Sequence, residues 1–158
     1  MNKLINDTSR ATREQASRLK NLIEDITLCC QERIELSSRK FGLTPAELRS
    51  LLLFHNERYL TLTTIAQRLE VAKSRVTKIL EGLLKKKLIE RLDDPKDSRV
   101  KLISLTPIGQ KKAKEVDELM TELHHSLVLT LNTEDRKTVL SALEVLRASM
   151  DTIKKRLE

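Results

Sequence analysis

Apolar residues recur every three or four positions over most of the chain, the period of an amphipathic helix. From residue 8 to about 40, Leu19, Ile23, Ile26, Cys30, Ile34 and Phe41 line one side of a long helix and polar residues fill the other. Gly42 supplies a stop. Thr44-Pro45-Ala46-Glu47 then joins an N-cap hydroxyl, a first-turn proline and a capping-box glutamate, so a second helix is predicted from 45 to about 57. Thr61 can cap a short third helix carrying Leu62, Ile65, Ala66 and Leu69, and a fourth begins near Lys73 after only a few residues of turn. The fourth helix has Val76, Ile79, Leu80 and Leu83 on one side. At 100° per residue this leaves Ser74, Lys78, Glu81 and Lys85 opposite, with Arg75 and Thr77 flanking them.

The period then changes. Ile89 to Leu92 and Arg99 to Leu105 read as two extended runs joined by a turn containing Pro95. A lone two-stranded hairpin is marginal in water, so this one must lean on a neighbouring helix pair. Thr106-Pro107 repeats the cap-plus-proline signal and opens a helix through Val116, Met120, Leu123, Leu127 and Leu131. After Asn132-Thr133 a last helix carries Val139, Leu143, Leu146, Met150, Ile153 and Leu157, a coiled-coil-like stripe that wants a partner. The expected fold is mainly α: a winged helix-turn-helix with a small β-hairpin wing, and a helical dimerisation region built from both termini. Residues 1–158 read as one domain, with dimerisation helices at 8–44 and 107–158 and a DNA-binding module at 45–106.

Charge locates the chemistry. The formal net charge is +7, and residues 68–101 hold eleven Lys or Arg against six Asp or Glu, a net of +5. A polyanion is the implied partner. With 2% aromatic residues and no Trp, base-stacking platforms for single strands are excluded. A helix fits the major groove of B-DNA, where Lys73 and the Ser74 to Lys78 face can meet base edges and phosphates. A hairpin beside it reaches the next minor groove, whose potential attracts Lys96 and Arg99. The alternative is a helical protein-protein interaction module whose basic surface is incidental. No glycine-rich phosphate loop, nucleophile-base arrangement or paired carboxylates point to an enzyme, and no cofactor is implied. His55, His124 and His125 lack the i, i+4 spacing of a helical zinc site, so no metal is expected. The N-terminus has no apolar signal core, and no run approaches the roughly 18 apolar residues of a spanning helix. A cytoplasmic protein with no membrane partner is expected, and two adjacent cysteines, Cys29 and Cys30, agree with a reducing compartment.

The segments LTLTTIAQRLEVAKSRVTKILEGLLKKKLIER and DDPKDSRVKLISLTPIGQ resemble the MarR family of bacterial winged-helix transcription regulators. The family's wing has an Asp-x-Arg element and ends in a Leu-Thr-x-x-Gly helix start, matched here by Asp97-Ser98-Arg99 and by Leu105-Thr106-Pro107-Ile108-Gly109. The resemblance implies a homodimer on a palindromic double-stranded operator, controlling transcription, usually as a repressor relieved by a small molecule or an oxidant. By the same resemblance Ser74, Arg75, Thr77 and Lys78 match recognition-helix positions, and Asp97 and Arg99 match the wing pair, which either shapes the loop or presents Arg99 to the minor groove. Three positions depart from the family pattern. Ala72 stands where a Ser N-cap is common, Lys87 stands where a Gly usually closes the recognition helix and so requires a positive φ, and Ser98 replaces a basic residue, shifting weight to Lys96.

Cys29 and Cys30 are the candidate redox pair, in the manner of the family's hydroperoxide-sensing branch. A reactive thiol needs nearby cations or a helix N-terminus, and the sequence offers neither, so buried structural cysteines are the favoured reading. A pocket between the dimerisation helices and the DNA-binding module is expected to take an effector such as an aromatic acid, as the resemblance implies.

Overall fold

The structure, a computed structural model, describes residues 2–157 apart from 96 and 98, with side chains described between residues 12 and 156. It divides into two compact units, the first ending at Val116 and the second starting at Asp117. The first holds α1 (Asn2–Lys40), α2 (Pro45–Leu52), β1 (Leu60–Thr61), α3 (Leu62–Leu69), α4 (Lys73–Lys85), β2 (Ile89–Asp93), β3 (Lys101–Leu105) and the first turns of α5 (Pro107–Thr130).

The helices begin where the sequence supplies caps. Thr44 Oγ1 accepts from the Glu47 N–H at 3.2 Å while Glu47 accepts from the Thr44 N–H at 2.7 Å, a complete capping box. Thr61 accepts from the Thr64 N–H at 3.1 Å and Thr106 from the Gly109 N–H at 3.0 Å. Gly42, at φ +65, ends α1 and lets the Leu43 N–H reach Ser38 O at 2.9 Å. Leu48 and Leu51 of α2, Ile65 of α3, Val76, Leu80 and Leu83 of α4 and Ile103 of β3 are fully buried. Each such side chain contributes roughly 1.5–3 kcal/mol, so apolar burial rather than charge holds this unit together.

The fold differs from the sequence reading in three places. α2 stops at Leu52, because residues 53–55 form successive tight turns, with Phe54 N–H to Leu51 O at 3.1 Å, that bury the Phe54 ring. The sheet has three strands in the order β1-β3-β2, Leu60 pairing with Ile103 and Thr61 with Leu102. A two-residue strand is too short to show a period, yet it gives the hairpin the support it needs, together with burial of Ile89 and Ile103. Arg99 lies before β3, in a tip closed by the Val100 N–H to Asp97 O bond at 2.9 Å.

The second unit is the remainder of α5 and α6 (Thr133–Leu157), turning at Asn132, whose Oδ1 caps α6 through the Asp135 N–H at 2.8 Å. Acids in the first turn of α6 and Lys154, Lys155 and Arg156 in its last complement the helix dipole. Leu127, Val139, Leu143, Met150 and Ile153 are all exposed, while the Leu157 side chain lies outside the described residues. Among the described residues no helix is long and apolar enough to cross a membrane.

Candidate nucleic-acid interface

A three-residue turn, Glu70-Val71-Ala72, joins α3 to α4. It closes because Glu70 adopts the left-handed conformation at φ 54, which brings the Val71 N–H to Ala66 O at 3.1 Å. Burial of Ile65 and Ala66 against Val76, Ile79, Leu80 and Leu83 fixes the rotation of α4. Lys73, Ser74, Arg75, Lys78, Glu81 and Lys85 are consequently exposed on one basic face, as the helical period predicts. Thr77 is half-buried, and its hydroxyl donates to Lys73 O at 3.1 Å, so its oxygen remains free to accept and its methyl group to make apolar contacts.

Ala72 holds N-cap geometry, φ −62 and ψ 146, with no side-chain cap bond. Ala72→Ser should therefore stabilise the protein by about 1 kcal/mol. Differential scanning calorimetry should read this as a rise in Tm of about 2–4 °C, and an unchanged midpoint would count against the missing cap as a weakness of α4. At the other end Lys87 takes φ 56, as expected for a residue standing in place of Gly, and the Leu88 N–H reaches Leu83 O at 3.0 Å. A side chain in this conformation costs about 1 kcal/mol.

At the wing, Asp97 grips Arg99 in two ways. Its carboxylate accepts from Nε at 3.0 Å and from Nη2 at 3.2 Å, a bidentate fork, and also from the Arg99 backbone N–H at 3.1 Å. The guanidinium and then the backbone N–H hold the Asp97 carboxyl below the usual carboxylate range, so the pair stays charged at neutral pH. The Arg99 side chain is 89% exposed, so the grip aims it outward without burying it. The cross-strand pair of Asp93 and Lys101 closes the two strands where the tip loop begins. Lys96 and Ser98 lie outside the described residues.

The cysteines depart from expectation, since both Cys29 and Cys30 are exposed. The reason is that burial on α1 begins only at Ser37 and Ser38, so the stripe that carries Cys30 is uncovered within its unit. A cation is also present: Arg33 Nη2 lies 3.6 Å from Cys30 Sγ, an i, i+3 contact legible in the spacing. His124 Nδ1 lies 2.6 Å from Met120 O, one turn back along α5.

A cavity of about 350 Å³ opens among α1, α2, the end of α3 and α4, lined by Ile34, Pro45, Arg49, Leu69, Arg75 and Ile79 among others. Neither Arg49 nor Arg75 pairs with a carboxylate among the described residues. Arg49 was not singled out from the sequence, because one arginine on the polar face of α2 carries no signal until α4 brings Arg75 beside the same cavity.

A helix pair with a tight turn, a basic second helix and a three-stranded sheet ending in a basic tip define a winged helix-turn-helix. Residues 41–100 match the model of the MarR family. The chain is 35% identical over 100 residues to the HTH-type transcriptional regulator TcaR of Staphylococcus aureus (strain Newman), covering 61% of this chain and 66% of TcaR. It is 39% identical over 103 residues to the HTH-type transcriptional repressor MdtR of Bacillus subtilis (strain 168), covering 60% of this chain and 66% of MdtR. The match thus spans just under two thirds of either relative. Among solved structures it is similar to MepR, a transcription regulator of the Staphylococcus aureus multidrug efflux pump MepA, with a TM-score of 0.72, 26% identity and coverage of 83% of this chain and 97% of MepR. A mutant of MepR bound to an oligodeoxyribonucleotide gives a TM-score of 0.58 at 26% identity, covering 84% and 97% of the two chains. The chain belongs to the MarR family.

Proposed function

We propose that the chain is a homodimeric, sequence-specific regulator that represses transcription from a palindromic double-stranded operator until a small molecule or an oxidant releases it. The observation that carries this reading is a pair of basic projections on one compact unit: the exposed face of α4, and Arg99 held out at the wing tip by Asp97. In this reading residues 45–106 bind DNA. Lys73, Ser74, Arg75, Thr77 and Lys78 meet the major groove, and Lys96, Asp97 and Arg99 serve the minor groove beside it. The MepR structure that contains an oligodeoxyribonucleotide supports DNA as the partner.

Residues 8–44 and 107–158 supply the dimerisation helices. Leu19, Leu22 and Ile26 of α1 and Val139, Leu143, Met150 and Ile153 of α6 are exposed apolar side chains at helical spacing, which a second copy would cover. A two-fold dimer spaces its recognition helices about 34 Å apart, one turn of B-DNA. The cavity beside Arg49 and Arg75 favours a small carboxylic acid as effector: two guanidiniums can hold a carboxylate, and Arg75 also belongs to the basic face of α4.

Selection from a pool of random duplexes tests the reading. The enriched site should be a palindrome with half-sites one helical turn apart, bound at least about a thousandfold better than a shuffled duplex and with a steep salt dependence. If no sequence is enriched, the basic face is only a charged surface, and the exposed stripe of α6 points instead to a protein partner.

A further inference from the structure

Glu47 is the one ionisable side chain buried among the described residues. Its capping role needs a single carboxylate oxygen at the Thr44 N–H, and a glutamate at that position of a helix is ordinarily solvated. Here it lies instead across the end of α4. Oε2 also accepts from Lys86 Nζ at 2.5 Å, a contact spanning 39 residues of sequence. Oε1 occupies the space that a Cβ on Gly82 would fill, since that Cβ would come within 2.3 Å of it. Lys86 is the C-cap of α4, where a cation also favours the negative end of the helix dipole.

We propose that Glu47 is a positioning residue for DNA recognition: through Lys86 it clamps the last turn of α4 to the start of α2 and so sets the pitch of the recognition helix. The inference rests on the DNA-binding reading above. Glu47 is buried while the Lys86 side chain stays 38% exposed, and such a pair is weak evidence for stability, because desolvation of the carboxylate and solvent screening of the ammonium offset much of the Coulomb gain, whereas fixing one arrangement among several close-packed ones is a known use of partly buried pairs. The clamp acts at a sensitive place. α2 follows α1 after the Gly42 turn, so the clamp ties the pitch of α4 to the helix proposed to dimerise. Ser74 lies about 18 Å along the helix from Lys86 at 1.5 Å per residue, so a tilt of about 5° about the clamp moves Ser74 by about 1.5 Å. That displacement exceeds what a base-edge hydrogen bond tolerates.

Glu47→Gln is the decisive variant, because the amide keeps the side-chain length and an oxygen for the Thr44 N–H but removes the charge that Lys86 pairs with. Binding to the selected operator and to a shuffled duplex is measured side by side, at a temperature where thermal scans show each protein fully folded. The expected result is a fall of about tenfold or more in operator preference, the loss of about one base-edge contact, with the salt slope and the shuffled-duplex affinity retained. Lys86→Gln should reduce the preference by a similar factor, and the double variant should lose no more than either single one, since both remove the same contact. An operator preference unchanged in Glu47→Gln, an equal loss on both duplexes, or additive losses in the double variant would overturn the clamp. If the unmodified protein itself shows no operator preference, the failure belongs to the DNA-binding reading instead.

Discussion

Lys78→Ala combined with Arg99→Ala should weaken operator binding by about a hundredfold or more and leave the fold intact. A specific arginine contact is worth roughly 1–3 kcal/mol, and a two-fold dimer loses it twice. Lys78 is exposed on α4, so on the proposed reading its removal takes away phosphate attraction and should lower the salt slope by about 2 if two copies bind together. Arg99 does two jobs. Its fork with Asp97 holds the wing tip, and on the proposed reading its exposed guanidinium meets the minor groove, so alanine should remove both the restraint and that contact. Stability should change by no more than about 0.5 kcal/mol, because neither side chain is buried and the apolar core does not depend on them. Fluorescence anisotropy with the selected operator across a salt series reads affinity and slope together. An affinity within about threefold of the parent would mean that DNA, if bound, meets a different face of the unit.

Where a structural feature depends on residues within one helical turn, the sequence carries it almost completely. The caps at Thr44, Thr61 and Thr106 are three-residue hydrogen-bond patterns, and each appears as the side-chain types predict. The basic face of α4 follows from the spacing of four apolar residues, whereas the left-handed Lys87 is implied only by the family resemblance, at a position that glycine normally fills there. Features that depend on distant partners were not legible. β1 is two residues long and exists only because β3 is there to pair with it. Glu47 looked like an ordinary capping glutamate until the fold brought Lys86 to it, and Arg49 gained meaning only beside Arg75. Glu70 reaches the left-handed region although glutamate gives no signal for it, because so short a turn requires that geometry of whichever residue stands there. The exposure of Cys29 and Cys30 was missed for a related reason: an apolar stripe reveals that a face wants cover, not whether its own unit supplies it.

Gly109→Ala should be the most damaging single methyl in the first unit, with a loss of about 3 kcal/mol or more. Gly109 sits in the first turn of α5, where alanine is ordinarily preferred to glycine by about 1 kcal/mol, so propensity alone forecasts stabilisation. Space decides otherwise. A Cβ there would lie 1.8 Å from Leu88 O and 2.8 Å from Leu88 C, a collision with backbone that no rotamer change relieves. Leu88 cannot retreat. Its side chain is buried, its N–H is bonded to Leu83 O at 3.0 Å, and its carbonyl accepts from the Thr106 N–H at 3.1 Å. Thr106 ties the same corner again, donating its hydroxyl to Lys87 O at 2.7 Å while accepting from the Gly109 N–H at 3.0 Å. The Leu-Thr-x-x-Gly pattern is therefore a weld between the root of the wing and the start of α5, with threonine supplying the bonds and glycine the closeness. Overpacking of this kind costs typically 1–3 kcal/mol even where side chains can adjust, a large part of a total stability of about 5–15 kcal/mol. The midpoint of thermal unfolding should fall by about 6–12 °C. Gly82→Ala is the comparison: its new Cβ meets the Glu47 carboxylate, at 2.3 Å from Oε1, and not backbone, so its loss should be smaller and should come from disturbing the Glu47 contacts to Thr44 and Lys86. If Gly109→Ala unfolds no earlier than Gly82→Ala, the corner yields more readily than its hydrogen bonds imply, and the glycine serves something other than close approach.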